Sequence, residues 1–423
     1  MKAIGVIRYS RKDRLSKVEF EELLRSAGYE VLSIIEQNRD EHPRYNIGRG
    51  KLEELKELVR EFKPDKVIFA NRLTPSQAYN LWKELRVEVM DRWQLVLEIF
   101  EKRAHSKEAK LQVELASLQY EVPLVKEAIR RIKLGDRAGF KGMGEYQTQQ
   151  YLKHIRYRMG KIRKELEKVK AEREVRRKKR EEFGFILVSL AGYTNAGKST
   201  LLNALAGENV EARNQMFTTL DTTTRRFKLS GKRVLVTDTV GFIDGLPPFI
   251  VEAFHSTLEE IVKSDVILLV LDSSEPWREI ARKFRASVDV LRELKALGKP
   301  IIVVLNKVDL IEGEDADEKV RLLKELSERV GLLIEGVARV SAKERKLDEL
   351  YEILERTILR LPKYGAFEIV IENPEKVPAV MALLSSVGEI LSVDYGDVTR
   401  IRAYIQTGML KELTKMDVKI RRL

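Results

Sequence analysis

Gly192-Tyr193-Thr194-Asn195-Ala196-Gly197-Lys198-Ser199 lies between an apolar run over 185–191 and a helical pattern over 200–206. The spacing is GxxxxGKS, and strand–loop–helix is the setting a phosphate-binding loop requires. Its glycines let the backbone curl so that N–H groups point inward at phosphate oxygens. The positive end of the following helix adds to that field. In this reading Lys198 neutralises the β- and γ-phosphates and the Ser199 hydroxyl ligates Mg²⁺. Asn195, Ala196, Gly197 and Thr200 complete the nucleotide-binding run.

Three further motifs follow in order. Leu235-Val236-Thr237-Asp238-Thr239-Val240-Gly241 is an apolar strand ending in DTVG. Asp238 there is expected to hold Mg²⁺ through water, and the Gly241 N–H to contact the γ-phosphate. A second apolar strand, 301–309, ends in Asn306-Lys307-Val308-Asp309. A carboxylate at Asp309 accepts from the ring N–H and the exocyclic amine of guanine; adenine offers no such pair, so the site selects GTP/GDP. The stem of Lys307 covers the base. In Val340-Ser341-Ala342-Lys343, closing a third strand, the Ala342 N–H reaches the guanine O6. An isolated NKxD is usually a surface turn; as one of four ordered motifs it implies a GTPase. The fold expected is α/β, a doubly wound, mostly parallel P-loop GTPase sheet with nucleotide at the carboxyl ends of its strands.

The chain of 423 residues is too long for one ordinary core. It shows no apolar run of transmembrane length and no signal peptide. With no cysteine, disulfides, Cys-ligated zinc and thiol chemistry are excluded. A cytoplasmic, monomeric protein is expected. Charged residues make up 34%, while Asn and Gln number ten each, a balance that fits a thermophile. The net charge of +12 is uneven: residues 151–182 hold fourteen Lys/Arg against six Asp/Glu, and six of the eight residues 173–180 are basic. A solvated helix face with i,i+4 pairs is the ordinary account; contact with RNA is the favoured one. Tyr151 and Tyr157 are the only aromatics there, so backbone contact is expected over base readout.

Four parts follow along the chain. Residues 1–92 alternate strand and helix, a small parallel α/β domain. Within it, Tyr45-Asn46-Ile47-Gly48-Arg49-Gly50-Lys51 lacks GKS or GKT and reads as a helix-capping turn or an RNA contact through Arg49 and Lys51. Residues 93–182 read as a helical hairpin: one long helix over 93–137 with a kink at Pro123, a break at Gly135, Gly139, Gly142 and Gly144, then a basic helix over 146–182. Leu152, Ile155, Met159, Ile162, Leu166 and Val169 give the second helix an apolar seam. Arg137, Phe140, Lys141 and Met143 are expected at the exposed tip. Residues 183–361 form the GTPase domain. Residues 362–423 read βαββαβ, a small ferredoxin-like α+β module.

Longer strings carry a family resemblance. They include Gly48-Arg49-Gly50-Lys51 with Leu52-Glu53-Glu54-Leu55, Leu73-Thr74-Pro75-Ser76-Gln77, and Ala104-His105-Ser106-Lys107-Glu108-Ala109-Lys110-Leu111-Gln112. Beyond the phosphate loop come Phe217-Thr218-Thr219-Leu220-Asp221, Asp238-Thr239-Val240-Gly241-Phe242-Ile243 and Val251-Glu252-Ala253-Phe254. The chain resembles the HflX family of translation-associated GTPases over most of its length. Many members carry a GxRGPGETQLE-like loop between the long helices; here Gly139-Phe140-Lys141-Gly142-Met143-Gly144-Glu145-Tyr146-Gln147 keeps the glycines and Glu145 but differs otherwise. The resemblance implies slow GTP hydrolysis coupled to the large ribosomal subunit and its rRNA, with ribosome splitting or rescue as the role of bacterial members. It also places switch I near 217–223, with Thr219, or alternatively Thr218, giving its hydroxyl to Mg²⁺.

After Gly241, where many GTPases place a water-orienting Gln, stands Phe242, which cannot hydrogen-bond water. Intrinsic hydrolysis is therefore expected to be slow. Asn195 resembles the ligand of potassium-stimulated GTPases, where K⁺ supplies the charge of an arginine finger; a bond within its own loop is the alternative. Catalytic weight thus falls on Thr219, Gly241, Lys198 and Asn195. The competing reading is an RNA-binding or RNA-chaperone module that GTP merely gates.

Overall fold

The computed structural model describes residues 1–10, 16–134, 145–182, 185–207, 223–229, 232–243, 247, 249–250 and 254–423. It divides into two compact units. The first comprises Met1–Lys170 and the 246–255 stretch, and the second most of the remainder.

The first unit opens with a parallel sheet of β1 (Lys2–Tyr9), β2 (Glu30–Asn38), β3 (Lys66–Phe69) and β4 (Glu88–Asp91) in the order β2-β1-β3-β4. Its central strand, KAIGVIRY, buries six consecutive residues, the pattern of a parallel strand covered on both faces. Helices α1 (Lys17–Ser26), α2 (Arg49–Phe62) and α3 (Pro75–Leu85) connect the strands. The turn before α2 is the capping turn the sequence suggested, with Gly48 as N-cap.

One expectation is corrected. The helix foreseen over 93–137 is two helices, α4 (Arg92–Arg103) and α5 (Lys107–Lys133). Ala104 turns extended, and the Ser106 hydroxyl accepts the Ala109 N–H at 3.0 Å to start α5. That cap, not Pro123, makes the break. Pro123 withholds one donor inside α5 and the helix runs on through it. Helix α6 (Glu145–Glu182) returns beside α5. Ile162 is buried against Leu111 and Leu115, with Leu118, Met159 and Leu166 around them, as the seam requires. A bidentate pair from Arg158 to Glu114, 2.5 and 2.8 Å, crosses beside it. Lys153, Arg156, Lys161, Lys164 and Lys168 are exposed. The tip positions Arg137, Phe140, Lys141 and Met143 lie outside the described residues. Phe254, from beyond the DTVG strand, meets Phe100 edge-on at 4.9 Å, and Phe249 meets Tyr120 at 5.8 Å.

In the second unit β5 (Ile186–Gly192), β6 (Thr223–Leu229), β7 (Lys232–Asp238), β8 (Val266–Asp272), β9 (Ile301–Asn306) and β10 (Gly336–Val340) form one sheet, ordered β10-β9-β8-β5-β7-β6. Only β6 is antiparallel to its neighbour. Helices α7 (Lys198–Ala206), α8 (His255–Lys263), α9 (Trp277–Glu293), α10 (Gly313–Arg329) and α11 (Asp348–Leu359) accompany it. Strands β5 and β8 are buried throughout. Their carboxyl ends, with that of β9, carry the site. After α11 come β11 (Tyr364–Ile371), α12 (Val377–Val387), β12 (Gly388–Tyr395), β13 (Thr399–Gln406), α13 (Leu410–Thr414) and β14 (Lys419–Arg422). They make an antiparallel sheet, β12-β13-β11-β14. Helices α12 and α13 cover one face over a core of Phe367, Ile369, Ile371, Val380, Leu384, Ile401 and Leu413. Among the described residues no helix is long and apolar enough to cross a membrane.

Candidate guanine-nucleotide site

The phosphate loop is shaped by positions only glycine can hold. Gly192 has φ +140, and a Cβ there would meet the Val270 carbonyl oxygen at 2.3 Å; Gly197 has φ +88, and its Cβ would meet Asn306 Nδ2 at 2.3 Å. Asn195 sits between them at φ 63, a left-handed position asparagine tolerates. Gly197 is the N-cap of α7, so the first N–H groups of that helix open into the loop. Lys198 and Ser199 form its first turn, followed by Thr200.

Lys198 is 7% exposed. Its Nζ donates to the Tyr193 carbonyl at 2.8 Å and the Gly192 carbonyl at 3.1 Å. Burial pushes its ammonium down to about 8, against the opposing pull of Asp238. Ser199 Oγ donates to Asp238 Oδ2 at 2.6 Å, so two hard oxygen donors stand together at the carboxyl end of β7. Such a pair suits Mg²⁺, which takes one or two protein oxygens and completes its octahedron with phosphate and water. Thr239 donates to the Leu190 carbonyl at 2.7 Å and fixes the strand end.

Gly241 lies against the loop: a Cβ on it would come within 2.8 Å of Thr194 Cγ2 and 3.0 Å of Lys198 Nζ. The next residue is stitched to the loop by backbone. Phe242 N–H donates to Gly192 O, and Thr194 N–H to Phe242 O, both at 3.0 Å. The Phe242 side chain is 1% exposed, so it packs inward. Thr219 and Thr218 lie outside the described residues.

At the base-binding end, Asn306 is 2% exposed. Its Nδ2 donates to the Ala196 carbonyl at 3.0 Å and its Oδ1 accepts from the Ala342 N–H at 3.1 Å. Lys307 has φ 66, and its Nζ reaches Asp272 Oδ2 at 2.6 Å. Ser341 Oγ donates to Asp309 Oδ1 at 2.6 Å, leaving Oδ2 for a ligand; Lys343 is exposed beside it. Every described residue of the four motifs thus converges on the ends of β5, β7, β9 and β10.

Sequence reasoning missed several supports. Asp272, ending β8, anchors Lys307. Tyr193 is 1% exposed, with Arg282 and Lys283 of α9 at 5.4 and 5.0 Å from its ring. Arg282 also donates to its hydroxyl at 3.4 Å. The terminal Asp of an apolar strand was the one local signal; the α9 contacts had none.

A family model for the "50S ribosome-binding GTPase" matches residues 187–307, "GTP-binding GTPase N-terminal" matches 15–101, and "GTP-binding GTPase Middle Region" matches 103–180. "GTPase HflX" of Thermococcus kodakarensis is 79% identical over all 423 residues, spanning 96% of that protein. The chain belongs to the HflX GTPase family. The HflX protein of Thermofilum pendens is 43% identical over 95% of this chain and 91% of its own length. A crystal structure of an SsGBP–GDP complex matches with TM-score 0.51 and 31% identity, covering 84% of this chain and 98% of that one. As an HflX GTPase, the chain binds and hydrolyses guanine nucleotide.

Proposed function

We propose that this HflX protein works on the large ribosomal subunit, in ribosome splitting, rescue or related translation control. GTP binding alternates with slow hydrolysis in a monomer. The observation that carries this is the row of exposed cations along α6, Lys153, Arg156, Lys161, Lys164 and Lys168, in a chain that also has a GTP site. The family model named for 50S binding supports it. The four-part division at 92/93, 182/183 and 361/362 is the working frame for truncations.

In this reading Asn195 to Thr200 hold the phosphates, with Lys198 drawn from the loop carbonyls onto their charge. Ser199 and Thr219 would hold Mg²⁺, and Asp238 would hold it through water; the ion would stabilise charge on the β- and γ-phosphates. The Gly241 N–H meets the γ-phosphate. Asn306 orders the loops, Asp309 and Ala342 read guanine, and Lys307, Ser341 and Lys343 flank it. With Phe242 buried, no side chain at that place orients water, so turnover is slow and rises on the ribosome. Asn195 would hold a K⁺ whose charge would stand in for part of what is missing.

The test is GTP turnover in potassium and in sodium, with and without purified large subunits. Stimulation by the subunit is expected; turnover unchanged by it in both salts removes the ribosome from the proposal and leaves the RNA-chaperone reading. An Asn195→Ala variant whose potassium/sodium rate ratio equals that of the native chain rules out the ion at Asn195.

A further inference from the structure

The C-terminal sheet buries one face under α12 and α13; on the other, Tyr364 and Tyr404 pack into the GTPase core, and the remainder is open. On β11 the core takes Phe367, Ile369 and Ile371, so Ala366, Glu368 and Val370 point the other way. The register then fixes their neighbours. Arg400 of β13 and Lys419 of β14 flank Val370, Arg402 and Arg421 flank Glu368, and Tyr404 lies beside Ala366. On β12, Asp394 pairs in register with Arg400 and Ser392 with Arg402. All four cations are exposed.

Residues 362–423 hold nine basic and eight acidic side chains, so the module as a whole is nearly neutral. Yet these two rows set four cations against Glu368 and Asp394. Glu368 reaches Arg402 at 3.5 Å, and Lys419 turns to Glu372. Arg400 and Arg421 make no ion pair among the described residues. Lysine or arginine on β14 guards an exposed sheet edge, but Arg400 and Arg402 lie on β13, an interior strand, where no edge needs guarding.

We infer that this open face is a second RNA contact, one that grips phosphate backbone without reading sequence. Cations two residues apart on one strand stand about 7 Å apart, and those across β11 about 10 Å apart. The result is a shallow grid of positive charge. An acidic protein partner would ask for a central aromatic or large apolar anchor; the centre here is Glu368, with only Ala366 and Val370 beside it on β11. Base stacking is not available either: Tyr404 lies flat on Tyr364, rings 6.2 Å apart at 5°. Arginine predominates, the side chain suited to forked contact with phosphate. This inference rests on the ribosome reading only for which RNA is met.

The experiment uses the full chain and a fluorescently labelled RNA hairpin of mixed sequence, titrated across salt concentrations. Arg400→Gln/Arg421→Gln is compared with Lys411→Gln/Lys415→Gln, which removes the same charge from exposed positions in and after α13. Both pairs are also made with Arg176, Arg177, Lys178 and Lys179 of α6 replaced by Gln, so that the basic helix cannot mask the effect. The first pair is expected to weaken binding about tenfold and flatten the salt slope by about 1.8, with the second within twofold of its parent. Equal losses from both pairs, or none from the first, overturn the inference. So does a first-pair loss seen with polyglutamate and not with the hairpin. If large subunits fail to bind while the hairpin shows the expected dependence, the ribosome reading falls and this one stands.

Discussion

Lys198 is the most constrained side chain in the site. Held near 8, its ammonium is partly neutral above that pH in the nucleotide-free chain, whereas bound phosphates hold it charged. Nucleotide binding therefore takes up a proton in that range. GDP affinity should be level below about pH 7 and fall about tenfold between pH 7 and 9. Calorimetry in buffers of different ionisation enthalpy measures the uptake; a flat profile with no uptake contradicts it. Asp309 offers a second test. Because Ser341 occupies Oδ1, Asp309→Asn replaces only the free oxygen, turning an acceptor into a donor. Guanine nucleotide should bind about a hundredfold more weakly and xanthine nucleotide, with an oxygen in place of the amine, more tightly than to the native chain. Competition binding with the two nucleotides decides it. These residues were legible from sequence because close backbone approach dictates them. A Cβ on Gly197 would come within 2.3 Å of Asn306 Nδ2, and one on Gly241 within 2.8 Å of Thr194 Cγ2. Tyr193 was not, because its partners lie 89 residues away on α9 and nothing local marks a cation over a ring.

At the scale of elements, the break between α4 and α5 shows how a cap outranks a proline. Ser106 is the N-cap of α5, and the Pro123 signal drew the expected bend seventeen residues too late. Asp91 is the same device at the start of α4. It accepts from Trp93, Gln94 and Leu73 backbone N–H groups and from the Tyr120 hydroxyl at 2.8 Å. Burial outweighs these bonds and raises its carboxyl above the usual range. One residue thus joins β4, α4 and α5. Asp91→Ala, leaving several buried donors without an acceptor, should destabilise the chain by about 3 kcal/mol. Denaturant unfolding followed by tryptophan fluorescence reports it; a loss below about 1 kcal/mol would show water doing the carboxylate's work.

On the scale of the whole molecule, the sheets follow from period and punctuation. Unbroken apolar runs gave the parallel strands of both α/β sheets, and the βαββαβ order read over 362–423 is the order of elements in the C-terminal one. Which cations share a face was hidden until register put Arg400, Arg402, Lys419 and Arg421 together. The basic helix was plain from composition, and its proposed role has a direct check. Replacing Arg176, Arg177, Lys178 and Lys179 by Gln should weaken binding to purified large subunits and lower its salt slope by about 3. Unchanged affinity and slope would take the helix out of the contact. The side chain of Asn306 carries a last consequence. One amide clasps the loop that meets phosphate with one hand and the loop that meets guanine with the other. The two halves of the nucleotide then cease to be strangers. Guanosine alone should raise the affinity for pyrophosphate, and pyrophosphate that for guanosine by the same factor; Asn306→Ala should leave each fragment indifferent to the other.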